Sequence, residues 1–276
     1  MSDPQGVVAH YGSDDLIETV TEALRDAGLG EGTLTWQALA PLDQFHVRGV
    51  AATAELADRL ALRPGTRVLD VGCGLGGPAR HLVAVYGADV TGIDLNPNYV
   101  ALATMLTERA GLSARVRHVL GDALALAFEP ESFDVVWTQH VAMNIADRQA
   151  LYGGIRRVLV PGGRLAIYDV IAGSGLLHFP VPWARRPDMS FVVSESDMKQ
   201  VLERVGLGID GWSDVTDAAV AWFQAHQKDG AGRAPPPRLA LPLVMGPEFP
   251  AMTANLARNL AEGRARLLQA VLRRPI

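Results

Sequence analysis

The chain has 276 residues, enough for one main domain with additions rather than two full domains. Hydrophobic residues make up 49% and charged residues 20%, which excludes a disordered chain and predicts a folded globular protein with a sizeable core. The formal net charge of -5, with no Lys/Arg run longer than a pair, argues against nucleic acid as the main partner, because binding phosphates requires a basic footprint.

The start, MSDPQG, lacks a charged segment followed by an apolar one, and no apolar run approaches the roughly 20 residues that span a bilayer. The expectation is a cytoplasmic protein with no membrane partner. Residues 14–28 and 48–61 carry helical patterns joined by LTWQALAPLDQFHVRG, and this preface predicts a cover over a site. From Arg67 onward, short β-branched runs alternate with helical patterns, the signature of a parallel sheet with crossover helices. TRVLDV (66–71) is the first strand, and the helix after it opens at Leu75–Pro78 and carries Leu82 and Val85 inward. ADVTGIDL (88–95) is the second strand. Asn96 and Pro97 then read as N-cap and first turn of a helix that Gly111 stops. Strands follow at 115–123, 133–140 and 162–173, the last separated from a helix at about 147–159 by the turn Pro161-Gly162-Gly163. Beyond them lie helices at about 194–205 and 215–228 and the run DGAGRAPPPRLALPLVMGP, which Pro and Gly make a loop or lid connection. Arg264, Arg266, Arg273 and Arg274 read as a solvated surface.

Cys73 is the single cysteine, and the seven histidines show no HExxH-like spacing, so neither a disulfide within the chain nor a metal site is expected. Chemistry concentrates instead in VLDVGCGLGGPAR (68–80), where Gly72, Gly74 and Gly77 spell GxGxxG. Such a loop suits a dinucleotide pyrophosphate at a helix N-terminus. Asp70 would set a negative charge beside those phosphates. It suits better a ligand with an ammonium and a sulfonium, such as S-adenosylmethionine, which Gly72, Gly74, Gly76 and Gly77 let the backbone approach closely. Asp94 ends the second strand where a ribose diol binds, and Asp122 with the backbone N–H of Ala123 follows the third strand where an adenine could be read. In an open sheet these strand ends face one crevice, so Asp70, Asp94 and Asp122 can converge.

The motifs VLDVGCGLGG, VTGIDLNP, GDALALAFEPESFDVVWTQH and LVPGGRLAIYD, in this order over roughly residues 66–172, resemble the class I S-adenosylmethionine-dependent methyltransferases. With LDQFHVRG before the sheet and EGRARLLQAVLRRP at the end, the chain is similar to the group that includes sarcosine and dimethylglycine N-methyltransferases and sterol methyltransferases. The resemblance implies an α/β, Rossmann-like sheet of seven mostly parallel strands with an antiparallel last strand. It implies a helical cover at 1–62 and a methyltransferase domain at 63–276, closed by strands at 206–212 and about 264–273, with a lid insert at about 213–262. The donor contacts it implies are Asp70, Gly72, Gly74, Gly76, Asp94, Leu95, Asp122, Ala123, Gln139 and Tyr11.

Methyl transfer from a sulfonium needs alignment and exclusion of water, and a carbon or hydroxyl acceptor also needs a base. His140 and Gln139, after the fourth strand, and His46 in the cover are the catalytic candidates, with His140 the best base. Met143 and Asn144 could also reach the pocket, and Trp137 reads as core. The stretch HFPVPWA brings His178, Phe179 and Trp183 near the crevice, an aromatic wall suited to a methylated ammonium, and Arg185 and Arg186 could meet a carboxylate. The expected reaction is methyl transfer from S-adenosylmethionine to a small-molecule acceptor, with an amine nitrogen preferred. A carbon or oxygen acceptor, a nicotinamide oxidoreductase and a non-catalytic binding protein are the alternatives. A homodimer stays open.

Overall fold

The computed structural model describes residues 6, 10, 15–230 and 239–276, with backbone alone for 227–230. Tyr11 and residues 231–238 of the Pro-rich run lie outside the described residues.

Three helices precede the sheet. In α1 (Leu16–Asp26) the apolar positions Leu16, Val20 and Leu24 recur every four residues and are all buried. The stretch LTWQALAPLDQFHVRG, expected as a plain connection, holds a further helix, α2 (Trp36–Asp43), capped where the Thr35 hydroxyl accepts from the Ala38 N–H. Pro41 within it removes one backbone donor, which disguised it as a loop. Helix α3 (Gly49–Asp58) buries Ala52, Thr53, Leu56 and Ala57.

The sheet comprises β1 (Arg67–Val71), β2 (Asp89–Asp94), β3 (Val116–Leu120), β4 (Phe133–Gln139), β5 (Leu159–Ala172), β6 (Gly208–Asp214) and β7 (Ala265–Arg273). Its order is β3-β2-β1-β4-β5-β7-β6, the first five strands parallel and β7 antiparallel to both β5 and β6. In β1, Val68 pairs with Val90 on one side and Val135 on the other. A strand covered on both faces is apolar along most of its length, and in β1 only Asp70 interrupts the buried stretch Val68–Val71. Helices α4 (Gly77–Tyr86) and α3 cover one face, together with α8 (Thr216–Gly230) and α10 (Phe249–Ala261). Helices α6 (Arg148–Val158) and α7 (Glu195–Arg204) cover the other.

Several expectations need correcting. Val85 is 51% exposed, because the buried stripe of α4 runs through Ala79, Leu82 and Val83. The Pro161-Gly162-Gly163 turn lies inside β5, where pairing jumps from Phe133↔Leu159 to Val135↔Arg164 and Gly162 takes φ +77°. The extra residues are absorbed as a bulge. The insert is more ordered than its prolines suggest: α9 (Pro242–Met245) forms within the run and α10 follows it, burying Met252, Leu256 and Leu260 at helical spacing. By contrast, α5 (Pro97–Arg109) begins as expected, with the Asn96 side chain accepting from the Asn98 N–H at 2.9 Å and Gly111 turning the chain at φ +68°.

One buried ion pair joins the cover to the sheet. Arg80, on α4, donates to Asp43 Oδ2 at 2.6 Å and to the Leu75 carbonyl at 2.6 Å, and its other amino group reaches Thr107 at 3.0 Å. Gly77 stands at the crossing: a Cβ there would meet the Asp43 carbonyl oxygen at 2.4 Å. The third glycine of the motif therefore permits helix contact. Among the described residues no helix is long and apolar enough to cross a membrane, and no cluster of His, Cys, Asp and Glu is placed to hold a metal. The four C-terminal arginines pair at the surface, Arg264 with Glu262, Arg266 with Glu195 and Asp214, Arg273 with Asp210 and Arg274 with Glu131.

Candidate active site

Crossovers leave β1 on one side toward β2 and on the other toward β4, and a cleft opens at the carboxyl ends of these strands, where an open sheet binds its ligand. Each strand end supplies part of its lining. The loop after β1 contributes Gly72 and Gly74, both at positive φ (+70° and +51°). A Cβ on Gly72 would stand 2.6 Å from Val141 Cγ2, so bare backbone is required there. After β2 come Asp94 and Leu95, after β3 Asp122 and Ala123, and at the end of β4 Gln139 and His140.

Asp94 ties two strand ends together. Its Oδ2 accepts from the Gly74 N–H and its Oδ1 from the Asn96 N–H, both at 2.9 Å. Burial raises its pKa, and the three backbone donors around it pull the other way. Asp122 Oδ1 accepts from the Leu124 N–H at 2.8 Å, holding the turn after β3. Bare loop backbone beside two carboxylates fits a ligand carrying hydroxyls, an amine and a cationic centre. It fits an adenosyl sulfonium.

Three other expected contacts sit elsewhere. Asp70 lies within β1, 2% exposed and absent from the cleft lining, with burial and the neighbouring Asp94 pushing its pKa up to about 7. Its Oδ2 has no hydrogen-bond partner among the described residues. Gly76 takes φ +77° and is not part of the cleft lining; a Cβ there would meet His118 Cε1 at 2.5 Å, so the loop packs closely on that side. His46 is buried behind the cleft, where its Nε2 donates to the Gly49 carbonyl at 3.0 Å and burial lowers its pKa to about 4. The turn between α2 and α3 points Phe45 into the cleft and so points its successor inward.

The end of β4 carries the remaining polar groups. His140 leaves the strand at φ +53°, a left-handed conformation rare for a residue with a side chain, and its N–H donates to the Tyr168 carbonyl at 2.7 Å. Its ring lies on Tyr168 at 5.1 Å and meets the edge of His46 at 6.1 Å. Burial, reinforced by His46, holds the imidazole well below its usual pKa and therefore neutral. Its Nε2 has no partner among the described residues. Gln139 Oε1 accepts from the Trp137 indole N–H at 3.0 Å and from the Thr53 hydroxyl at 3.3 Å.

Apart from Asn96, Tyr99 and Asn144, the rest of the lining is apolar. Val141, Met143 and Ile145 come from the turn after β4, and Trp183 from the loop after β5. The insert sends in Met245 and Phe249, and the cover sends in Phe45. Asn144 also reaches the cleft. His178 instead pairs with Glu262 at 2.8 Å, and Phe179 packs against the core. Arg185 and Arg186 pair with Glu248 and Asp188 at the surface. Of the proposed aromatic wall, only Trp183 faces the cleft. Sequence reading missed Phe45, Tyr99, Met245 and Phe249; Tyr99, three residues after the Asn96 cap, was the one with a local signal.

Comparison with known proteins places this geometry. Residues 69–167 match the model of a family described as "Methyltransferase domain". A sterol 24-C-methyltransferase of Gibberella zeae is 41% identical over 114 residues, 41% of this chain and 30% of that protein. The chain thus matches about a third of that relative's length. A geranyl diphosphate C-methyltransferase of Streptomyces coelicolor, solved with S-adenosyl-L-homocysteine, superposes with a TM-score of 0.70 at 14% identity, covering 98% of this chain and 97% of that one. A structure described as a putative sarcosine dimethylglycine methyltransferase of Galdieria sulphuraria gives 0.67 at 21% identity, covering 82% and 85%. At such identities these two structures speak for the fold alone.

Proposed function

Residues 69–167 form a class I S-adenosylmethionine-dependent methyltransferase domain, and from that premise we propose that the chain methylates an apolar small molecule at carbon or oxygen. The observation that carries the acceptor is the lining: among the described residues its charged side chains, Asp94 and Asp122, stand at the β2 and β3 ends, whereas the part built by β4, the cover and the insert is uncharged. A glycine-derived amine would bring a carboxylate that no cation among the described lining residues receives, and Arg185 and Arg186 are paired elsewhere. Carbon or oxygen is therefore proposed in place of the amine nitrogen preferred in the sequence, and product analysis decides between them.

When bound, S-adenosylmethionine supplies an electrophilic methyl on a sulfonium. Gly72 and Gly74 would offer backbone to it, Asp94 and Leu95 would hold the ribose side, and Asp122 and Ala123 the adenine. Asp94→Ala should weaken S-adenosylhomocysteine about thirtyfold by calorimetry, roughly 2 kcal/mol for a charge-assisted hydrogen bond lost together with the tether on the glycine loop.

At the acceptor end the apolar walls exclude water, and His140 Nε2 can take the proton that a carbon or hydroxyl acceptor must shed. Because burial holds the His140 imidazole well below its usual pKa, its own ionisation should add no acid limb to kcat/KM in the ordinary histidine range. An acid limb with a midpoint near 6.5 in the pH profile would contradict that role.

Titration with S-adenosylmethionine and S-adenosylhomocysteine, followed by product analysis over phenols, enolisable ketones, sterols, glycine and sarcosine, tests the whole reading. The expected result is one donor bound per chain and methyl transfer to members of the first three classes. No donor binding would defeat the cofactor assignment, and transfer to sarcosine alone would defeat the acceptor assignment.

A further inference from the structure

Gln139 is 9% exposed and lines the cleft, and the direction of its amide is settled by chemistry. The Trp137 indole nitrogen can only donate, so the atom it meets at 3.0 Å must be the amide oxygen. The Thr53 hydroxyl, at 3.3 Å, approaches the same oxygen. The amide nitrogen is thereby turned away from both, with its two hydrogens, and it has no partner among the described residues. A buried donor left unmatched is costly, and here an indole, a hydroxyl and a strand end all hold it in place.

Position in the sheet separates this donor from the adenosyl subsite. Asp94 and Asp122 end β2 and β3, on one side of β1, while Gln139 ends β4 on the other. The part of the lining that β4 and the turn after it build comprises Gln139, His140, Val141, Met143, Asn144 and Ile145, and the Gln139 amide nitrogen is hydrogen-bonded to none of them. We propose that Gln139 Nε2 is a specificity-determining donor for the acceptor molecule, which therefore carries a carbonyl or hydroxyl oxygen beside the position that is methylated. The substrate class is then an oxygen-bearing apolar compound rather than a bare hydrocarbon chain. This rests on the methyltransferase reading for the name of the reaction, and on the Trp137–Gln139 geometry for the donor itself.

The probes are acetophenone and α-methylstyrene, which share a shape and differ in C=O against C=CH2. Binding of both to the full chain, saturated with S-adenosylhomocysteine, is measured by NMR titration for the wild type and Gln139→Met. Methionine keeps the volume and removes the donor. The variant should shift the affinity ratio of the two probes about fivefold against acetophenone, as expected for one hydrogen bond of about 1 kcal/mol. The carbonyl stretch of acetophenone bound to the wild type should fall below its value in hexane, a readout that survives even if the variant does not fold. An unchanged ratio, or a stretch equal to that in hexane, overturns the proposal. So does a loss of S-adenosylhomocysteine affinity greater than about threefold in Gln139→Met, which would assign the nitrogen to the methyl donor. If the wild type binds no S-adenosylhomocysteine, the same titrations run without it still report on the donor, so the two readings fail separately.

Discussion

Asp43→Asn should lower the unfolding free energy by about 3–5 kcal/mol in urea titrations at pH 7, the range for removing one partner of a buried ion pair. Arg80 is fully buried, so the variant must either keep an uncompensated cation under the glycine loop or open the crossing of α2 and α4. Arg80→Met should behave differently with pH. Burial pushes the Asp43 carboxyl up to about 6 even beside Arg80, against 3.8 in the unfolded chain, and removing the arginine raises it further. The folded variant then holds a proton that the unfolded chain releases. Its stability should rise as pH falls from 7 toward 4 and be lost again as pH climbs, because a raised carboxyl pKa favours the folded state only where the group is protonated. Asp43→Asn, with no carboxyl at that position, should recover nothing over the same window. Parallel pH profiles for the two variants would show that the pair is not what holds the cover to the sheet.

His140→Ala should slow methyl transfer about a hundredfold or more while leaving S-adenosylhomocysteine affinity within about twofold. The first figure is the lower end of what a positioned general base contributes. The second follows from the place of His140 at the end of β4, across β1 from the two carboxylates. Its ring is backed by Tyr168 and edged by His46, and the Tyr168 hydroxyl is anchored on the Val47 carbonyl at 3.0 Å, so the imidazole is held from behind by the cover. A low pKa weakens a base in equilibrium terms, yet it keeps the acceptor lone pair available over the whole physiological range. Single-turnover rates with a phenolic and an amine acceptor separate the possibilities. A large loss for the phenol alone supports proton removal. A loss of less than threefold for both would leave His140 as part of the wall and return an amine, which needs no base, to first place.

Much of the donor half is legible in the sequence, because each of its parts is announced within a few residues. Glycines at positive φ, carboxylates at strand ends and an Asn-Pro helix start are local devices, and Gly72, Gly74, Asp94 and Asp122 sit where those devices put them. Asp70 and Gly76 stand outside the cleft lining for a common reason: a motif names positions in sequence, and packing decides which of them face the cleft. His46 shows the same limit over a single residue, since a turn that aims Phe45 at the cleft aims its neighbour at Tyr168. The acceptor half is largely opaque. Met245 and Phe249 come from an insert whose prolines hide two helices, and their distance in sequence from Val141 or Trp183 leaves no periodicity to follow. Gln139 is legible as a residue near the site, but its oriented amide depends on Trp137 and on Thr53, 86 positions away.

The cleft is assembled from two kinds of chain. Its donor floor is drawn from one continuous stretch between Gly72 and Leu124, whereas the opposing wall is contributed piecemeal by residues around 45, 140, 183 and 245. Such a division makes the wall an interchangeable part. Randomising Met245 and Phe249 in a library would reshape the room available to the acceptor without touching a residue of the floor, so variants with new acceptor ranges should retain the parent's donor affinity. Recombination between relatives at the borders of the insert would draw on the same separation, trading one acceptor repertoire for another on an unaltered adenosyl platform.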